Sequence, residues 1–179
     1  ACKECNRKYE CTGENAAFCN HMKNILVAKY GAAEGCLKES RIRHSMGVAN
    51  FLFAYAKSHD WSKEETEDLY LTGLLHDIGY IDNPKGTDHG RLGAEILKRN
   101  GLNAEICELI SCHGRFIENP SRKQALLWLA DLCVNRDGDY IGYQKRYESI
   151  KERYKNDPER LFQVYRILEY LQIHFSEYR

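Results

Sequence analysis

The tetrapeptide Leu75-His76-Asp77-Ile78 places an imidazole and a carboxylate side by side inside an apolar stretch. That stretch reads LYLTGLLHDIGYI over residues 69–81 and has the composition of a buried segment. Burying two such polar groups is costly unless a partner compensates them. A bound metal ion is the simplest compensation, because it turns both side chains into ligands. The dipeptide therefore predicts a metal site.

Other histidines and one aspartate can complete that site. His44 lies near the apolar face of a predicted helix over 38–59, and Asp131 is the lone charged residue in the run ALLWLADLCV. A single carboxylate in such a run must meet a cation or strong donors. His89 opens a predicted helix and His113 ends another, and a side chain at a helix end can point into a cleft.

These residues predict a centre with two metals. One metal would be held by His44, His76, Asp77 and Asp131, and a second by His89 and His113 with Asp77 as the bridge. Imidazole and carboxylate ligands suit iron, manganese, zinc or nickel, and ligand type alone does not choose among these metals. Two divalent or mixed-valent metals about 3.5–4 Å apart share a hydroxide and polarise a phosphoryl oxygen, which indicates hydrolysis.

Helices must position these groups, and helical signals dominate the chain. Capping boxes occur at Ser62-x-x-Glu65 and Ser121-x-x-Gln124. The predicted helices cover about 14–30, 38–59, 62–78, 88–100, 103–113, 121–135, 141–155 and 158–177. No stretch alternates with a period of two residues, so the predicted fold class is all-α.

Size and charge limit the function classes. We expect a cysteine-rich N-terminal segment over 1–35, packed on a domain over 36–179 that includes the C-terminal helices. The 26 basic and 26 acidic residues cancel, which argues against a general nucleic-acid or anionic-membrane binder. No apolar run approaches the roughly 20 residues of a membrane span, and no hydrophobic signal region is present. We therefore expect a cytoplasmic protein, with homodimerisation left open.

These motifs resemble those of the HD-domain superfamily of metal-dependent phosphohydrolases, whose members fold as an all-helical bundle around a metal centre. Five elements occur in the family's order over roughly 38–136, namely RIRHSMGV, LLHDIG, HGRLGA, CHG and LAD. The resemblance implies the six residues above as ligands of a binuclear, iron-containing centre. Within the superfamily the chain looks most like the bacterial hydrolases that split diadenosine tetraphosphate symmetrically. Tyr80 stands where that subgroup usually has a lysine.

The expected reaction is hydrolysis of a phosphoester or phosphoanhydride in a small-molecule nucleotide, such as a dinucleoside polyphosphate, through a metal-bound hydroxide. Positively charged side chains near the centre would bind phosphate. The expected catalytic residues are Asp77, Arg41 and Lys85, and the expected substrate-binding residues are Arg41, Lys85, Arg115 and Tyr80.

Two alternatives stay open. Some HD-domain proteins, such as myo-inositol oxygenase and the phosphonate-cleaving oxygenases, hold a mixed-valent di-iron centre with the same six ligand types. An oxygenase acting on a phosphonate or polyol is therefore the alternative enzyme. The other alternative is a degenerate module that binds a nucleotide or a partner protein. Such a module would have lost a ligand, and none of the six is missing.

Four cysteines near the start could form a separate site. Cys2, Cys5, Cys11 and Cys19 provide enough thiolates for a structural zinc or an iron–sulfur cluster. Their spacing fits neither a standard zinc finger nor a ferredoxin. Free thiols or disulfides are equally compatible with the pattern.

Overall fold

A computed structural model describes residues 39–81 and 88–179 of the protein. In these residues seven α-helices follow one another, and a single bridge between Val134 and Tyr140 is the only β-type pairing. The helices are α1 (Glu39–Ser58), α2 (Lys63–Leu75), α3 (His89–Arg99), α4 (Ala104–Cys112), α5 (Arg122–Cys133), α6 (Tyr143–Arg153) and α7 (Pro158–His174). Short 3₁₀ turns cover Ile78–Ile81 and Ser176–Tyr178. The predicted all-α fold is confirmed.

The central element of this bundle is α5. Residues 124–130 are all buried, so this helix is covered on every side. It packs against α1, α2, α4, α6 and α7, which explains why its sequence is apolar all round rather than along one stripe. Asp131 lies in its last turn, and the central helix therefore carries a carboxylate into the interior of the bundle. No helix of the described residues is long and apolar enough to cross a membrane.

Helix starts follow the predicted caps with one exception. At α2 the Ser62 hydroxyl accepts a hydrogen bond from the Glu65 N–H, and the Glu65 carboxylate accepts one from the Ser62 N–H. At α5 the Ser121 hydroxyl accepts from the Gln124 N–H, but the Gln124 side chain is buried in the core. The second capping box is therefore only half formed, because burial of the amide side chain takes it away from the helix end.

One boundary error affects the site and concerns the helix predicted over 62–78. It ends at Leu75, and the chain then turns through His76 and Asp77 into the 3₁₀ turn Ile78–Ile81. The apolar pattern continues through this change, since a buried turn and a buried helix demand the same residues. The other described helices begin and end within about three residues of the prediction. The predicted helix over 14–30 lies outside the described residues.

Glycine allows the 3₁₀ turn to lie directly on α3. A Cβ atom at Gly79 would stand 1.8 Å from the carbonyl oxygen of His89 and 2.6 Å from the backbone nitrogen of Gly93. Both are backbone atoms of α3, so neither can move aside as a flexible side chain would. This contact fixes the first residue of α3 next to the end of α2.

Candidate metal centre

Six ligand-type side chains from five helices converge at one end of a cavity. Five of them are buried, and the Asp131 side chain is 28% exposed. They lie in α1 (His44), at the end of α2 (His76 and Asp77), at the start of α3 (His89), at the end of α4 (His113) and in α5 (Asp131). Three overlapping groups of these residues have ligand atoms within 4.8 Å of one another and could hold a metal.

The Asp77 carboxylate is at the middle of the cluster. Its Oδ1 atom lies 3.7 Å from the Nε2 atom of His76. The same oxygen lies 3.6 Å from Nε2 of His89 and 3.7 Å from Nε2 of His113. These separations are too long for hydrogen bonds. An oxygen surrounded by ring nitrogens at such distances leaves room for an ion between them.

The other half of the cluster is built around Asp131. Its Oδ1 atom lies 2.9 Å from Nε2 of His44 and 3.8 Å from Nε2 of His76. The Nδ1 atom of His44 lies 3.0 Å from the carbonyl oxygen of Asn135. A neutral imidazole has one N–H, and the carbonyl can only accept it. The Nε2 atom therefore faces Asp131, and these two atoms could bind the same cation.

Backbone carbonyls fix the orientation of two further rings. His76 Nδ1 lies 2.7 Å from the Gly73 oxygen, and His113 Nδ1 lies 2.6 Å from the Ile110 oxygen. Since each carbonyl takes an N–H from Nδ1, the Nε2 atom of each ring points into the centre and is the atom that could bind a metal. Outer hydrogen bonds of this kind are typical of histidines that bind metals.

Two further observations indicate that these residues fit a metal. The Nε2 atom of His76 is fully buried and has no hydrogen-bond partner among the described residues. The Nε2 atoms of His89 and His113 lie 2.9 Å apart. Two nitrogens bound about 2.1 Å from one metal at a right angle would be separated by nearly this distance. The cluster therefore brings ring nitrogens and carboxylate oxygens to distances at which a cation could bind several of them together.

The electrostatics favour the ligand protonation state for Asp77, His76 and His89, and favour the protonated form for His113. Burial alone would raise the pKa of Asp77, but His76, His113 and Arg41 hold it well below its usual value, so the carboxylate is ionised. Burial lowers the pKa of His76, and burial together with His113 lowers that of His89 to about 3. Burial would also lower the pKa of His113, but the carboxylate of Asp77 outweighs it and the pKa is raised. His76 and His89 are therefore neutral, as metal ligands must be.

Arg41 and Tyr80 support the centre from one side. The Nη1 atom of Arg41 donates to Oδ2 of Asp77 at 2.6 Å, which leaves Oδ1 facing the histidines. The Arg41 guanidinium also lies 3.4 Å from the centroid of the Tyr80 ring, whose other neighbour is the stacked imidazole of His89 at 4.1 Å. Arg160 donates to the Tyr80 hydroxyl at 2.8 Å. Tyr80 is thus held between a cation and a ligand-type histidine.

The cavity beside the centre has a volume of about 440 Å³, which falls in the usual range for small-molecule sites. Arg41 and Tyr80 line it, and the exposed Arg115 lies at its edge. Lys85 and the four N-terminal cysteines lie outside the described residues, so their roles stay predictions. Substrate binding by Arg41, Arg115 and Tyr80 also stays a prediction, although the structure shows that all three line the cavity.

Sequence reasoning missed three residues of the cavity wall, which are Arg146, Arg153 and Arg160. They come from α6 and α7, which follow the last ligand-type residue in the chain. In the sequence they look like ordinary charges of tyrosine-rich amphipathic helices. The sequence did contain a signal for this wall. Arg146, Ile150 and Arg153 share one face of α6, so that face has two charged side chains and one apolar side chain.

Gly79→Ala should separate the two halves of the centre. The added methyl group meets two backbone positions of α3, so that helix must shift and take His89 away from Asp77. We expect a loss of at least about 2 kcal/mol in the free energy of unfolding, because overpacking against backbone cannot relax. Urea denaturation and elemental analysis of bound metal would measure both effects.

Gly114→Ala is the matched control for that substitution. Its Cβ atom would meet only the His89 Cε1 atom at 3.9 Å, which is an ordinary van der Waals contact. We expect wild-type metal content and nearly wild-type stability. If Gly79→Ala behaved like this control, the tight contact between the 3₁₀ turn and α3 would have no part in forming the centre.

Comparisons with known proteins agree with this arrangement. The HD domain family model matches residues 41–167, a region that contains all six ligand-type residues. Ribonuclease Y of Fervidobacterium nodosum is 35% identical over 92 residues, which cover 46% of this chain and 18% of that protein. Ribonuclease Y of Mycoplasma mycoides subsp. mycoides is 34% identical over 113 residues, which cover 62% of this chain and 20% of that protein.

An uncharacterized protein of Methanocaldococcus jannaschii is 31% identical over 77 residues, which cover 42% of this chain and 45% of that protein. The chain thus spans less than half the length of each of these three curated relatives. No solved structure matches the chain significantly.

Proposed function

Because the chain belongs to the HD-domain family, whose members bind divalent metals and generally act as metal-dependent phosphohydrolases, we propose that it hydrolyses a phosphoester or phosphoanhydride bond in a small-molecule nucleotide. The observation that carries this proposal is the convergence of two carboxylates and four imidazoles at the end of a cavity. A dinucleoside polyphosphate is the first substrate to test, because the sequence motifs resemble hydrolases of that class.

The six side chains divide into two ligand sets that share Asp77. His44, His76 and Asp131 would hold one metal, and His89 and His113 the other. We propose iron as the native metal. Two bound metals would supply an activated water and would draw negative charge from the phosphoryl oxygens.

The protein's own groups then orient the ligands and the substrate. Arg41 holds Oδ2 of Asp77 and so fixes the plane of the carboxylate toward the histidines. Tyr80 packs on His89 and fixes the ring of that imidazole. Arg115, at the exposed edge of the cavity, is placed to bind a phosphate that enters from solvent.

Two of the relatives are named ribonucleases, and an RNA phosphodiester is also a nucleotide ester. We nevertheless propose a small-molecule substrate, because the chain has no net charge and its cavity has the volume of a small-ligand site. Binding to RNA rests mainly on phosphate neutralisation by a basic surface, which a chain with balanced charges does not favour.

A substrate screen tests the proposal. The full chain, purified without oxygen and analysed for metal, is incubated with nucleoside mono- and diphosphates, a dinucleoside polyphosphate and an RNA oligomer, and phosphate and nucleotide products are quantified. We expect release of phosphate or nucleoside phosphate from at least one small nucleotide. Cleavage of RNA alone would contradict the small-molecule proposal. Consumption of oxygen with a phosphonate or polyol, without hydrolysis, would identify an oxygenase instead.

A further inference from the structure

The cavity beside the metal centre is lined by several arginines, and not all of them pair with a carboxylate. Of the cavity arginines, Arg41 pairs with Asp77, and Arg91 pairs with Asp88 and Glu95. The other four arginines of the cavity make no ion pair with any residue that the structure describes, and they are Arg115, Arg146, Arg153 and Arg160. Of these, Arg146 and Arg153 lie together on one helix, α6.

Arg146 is the more unusual of the two because it is buried. Arg146 is 7% exposed, and its Nε atom is fully buried with no hydrogen-bond partner among residues 39–81 and 88–179. A buried guanidinium nitrogen that lacks an acceptor is unfavourable. The position is thus understandable if an anion occupies the cavity next to it.

Arg146 and Arg153 lie on one face of α6, seven residues apart and separated by Ile150, which also lines the cavity. They are close enough to affect one another. Burial lowers the pKa of Arg146, the carboxylates of Asp131 and Asp77 raise it, and the like charge of Arg153 lowers it again. The arginine pair is therefore next to the metal centre, within reach of the same ligand.

We propose that Arg146 and Arg153 bind a second phosphoryl group of the substrate, adjacent to the phosphoryl group that is held at the metal centre. The substrate class is then a phosphoanhydride, such as a nucleoside diphosphate or a longer polyphosphate, rather than a simple phosphate monoester. This inference rests on the proposed function for the position of the first phosphoryl group.

Guanidinium geometry explains why arginine is used here. The planar fork of Arg146 can donate two parallel hydrogen bonds to two oxygens of one phosphoryl group, which a lysine cannot do. Tyr154, the residue after Arg153, also lines the cavity and lies under the guanidinium of Arg160 at 4.0 Å. Arg160 also donates to the Tyr80 hydroxyl, whereas the guanidinium of Arg153 lies farther from the Tyr154 ring, at 5.7 Å from its centroid.

Equilibrium binding tests the inference without relying on turnover. The affinities of the full chain for methylenediphosphonate and for methylphosphonate are measured by calorimetry, and their ratio is compared between variants. We expect the wild type to prefer the diphosphonate. Arg146→Met should reduce that preference by about tenfold to a hundredfold, because a charge-assisted pair of hydrogen bonds is lost. Arg146→Lys should retain part of it.

Two further variants make the test specific. Arg153→Met should reduce the preference in the same direction, and it guards against misfolding at the buried position. Lys145→Met changes an exposed residue next to Arg146 that does not line the cavity, and it should leave the preference unchanged. If both arginine variants kept the wild-type preference, the second phosphoryl site would be disproved.

The result is distinguishable from that of the proposed function. A protein that binds the diphosphonate through Arg146 but hydrolyses no nucleotide supports this inference and contradicts the hydrolase proposal. A protein that hydrolyses nucleotides while Arg146→Met leaves the preference intact supports the hydrolase and contradicts this inference.

Discussion

Asp77→Asn should abolish bound metal and activity together. The substitution keeps the shape of the side chain but removes the charge that Oδ1 presents to three imidazoles and that Oδ2 presents to Arg41. Loss of metal catalysis should lower the rate by at least about 10³-fold, since activation of water and stabilisation of phosphoryl charge supply several kcal/mol. Elemental analysis and initial rates on the same preparation measure both quantities.

Asp68→Asn provides a control for this effect. It makes the same chemical change on α2, nine residues earlier, at a half-buried position that does not line the cavity. We expect wild-type metal content and rate. Should Asp77→Asn retain metal and activity, Asp77 would not be the shared ligand, and the division of the centre into two halves would be wrong.

Removing the metal should lower the thermal stability of the wild-type protein. Chelation leaves the buried acceptor atoms of the centre facing one another, with the Nε2 atom of His76 lacking a partner. Binding of a ligand at 100 times its dissociation constant stabilises a protein by about 2.7 kcal/mol. For a chain of this size the melting temperature should fall by about 5–11 °C, which scanning calorimetry with and without chelator would detect.

The Asp77→Asn variant separates this effect from a general effect of the chelator. Because that variant should hold no metal, its melting temperature should not respond to chelation. An unchanged melting temperature of the wild type after complete metal removal would show that metal binding contributes little to the stability of the folded state.

The helices could be predicted from the sequence because their signals are local. Serine caps, a proline at a first helical turn and apolar periodicity all act within a few residues. The exception at Leu75 shows the limit of such signals. The helix ends there, and the turn that follows places His76 and Asp77 near the other ligand-type residues. This turn packs against α3, and such a contact between distant segments leaves no local pattern in the sequence.

The convergence of the six ligand-type residues followed from their chemistry. Buried imidazoles and carboxylates in apolar segments needed a common partner, so they could be expected to lie together. The backbone oxygens of Gly73 and Ile110, which orient two of the rings, could not be predicted. Any residue has a carbonyl group, and only the fold determines which one faces a histidine.

The arginines of α6 were missed for a different reason. Exposed arginines are common on amphipathic helices. The sequence shows Lys145 and Arg146 as two neighbouring cations, and only their positions on the helix surface make one exposed and the other buried. That orientation depends on how α6 packs against α5, which involves residues far apart in the chain. A charge on a helix thus becomes informative only when its burial is known.

The order of the cavity residues along the chain has an evolutionary consequence. Every ligand-type side chain lies between residues 44 and 131, whereas Arg146, Arg153 and Tyr154 come later. If the proposed function holds, mutations that reshape α6 and α7 would change which molecules the cavity accepts and leave the six ligand-type residues unaltered. Chimeras that exchange only these two helices between relatives would be a natural route to new selectivity on a constant chemical step.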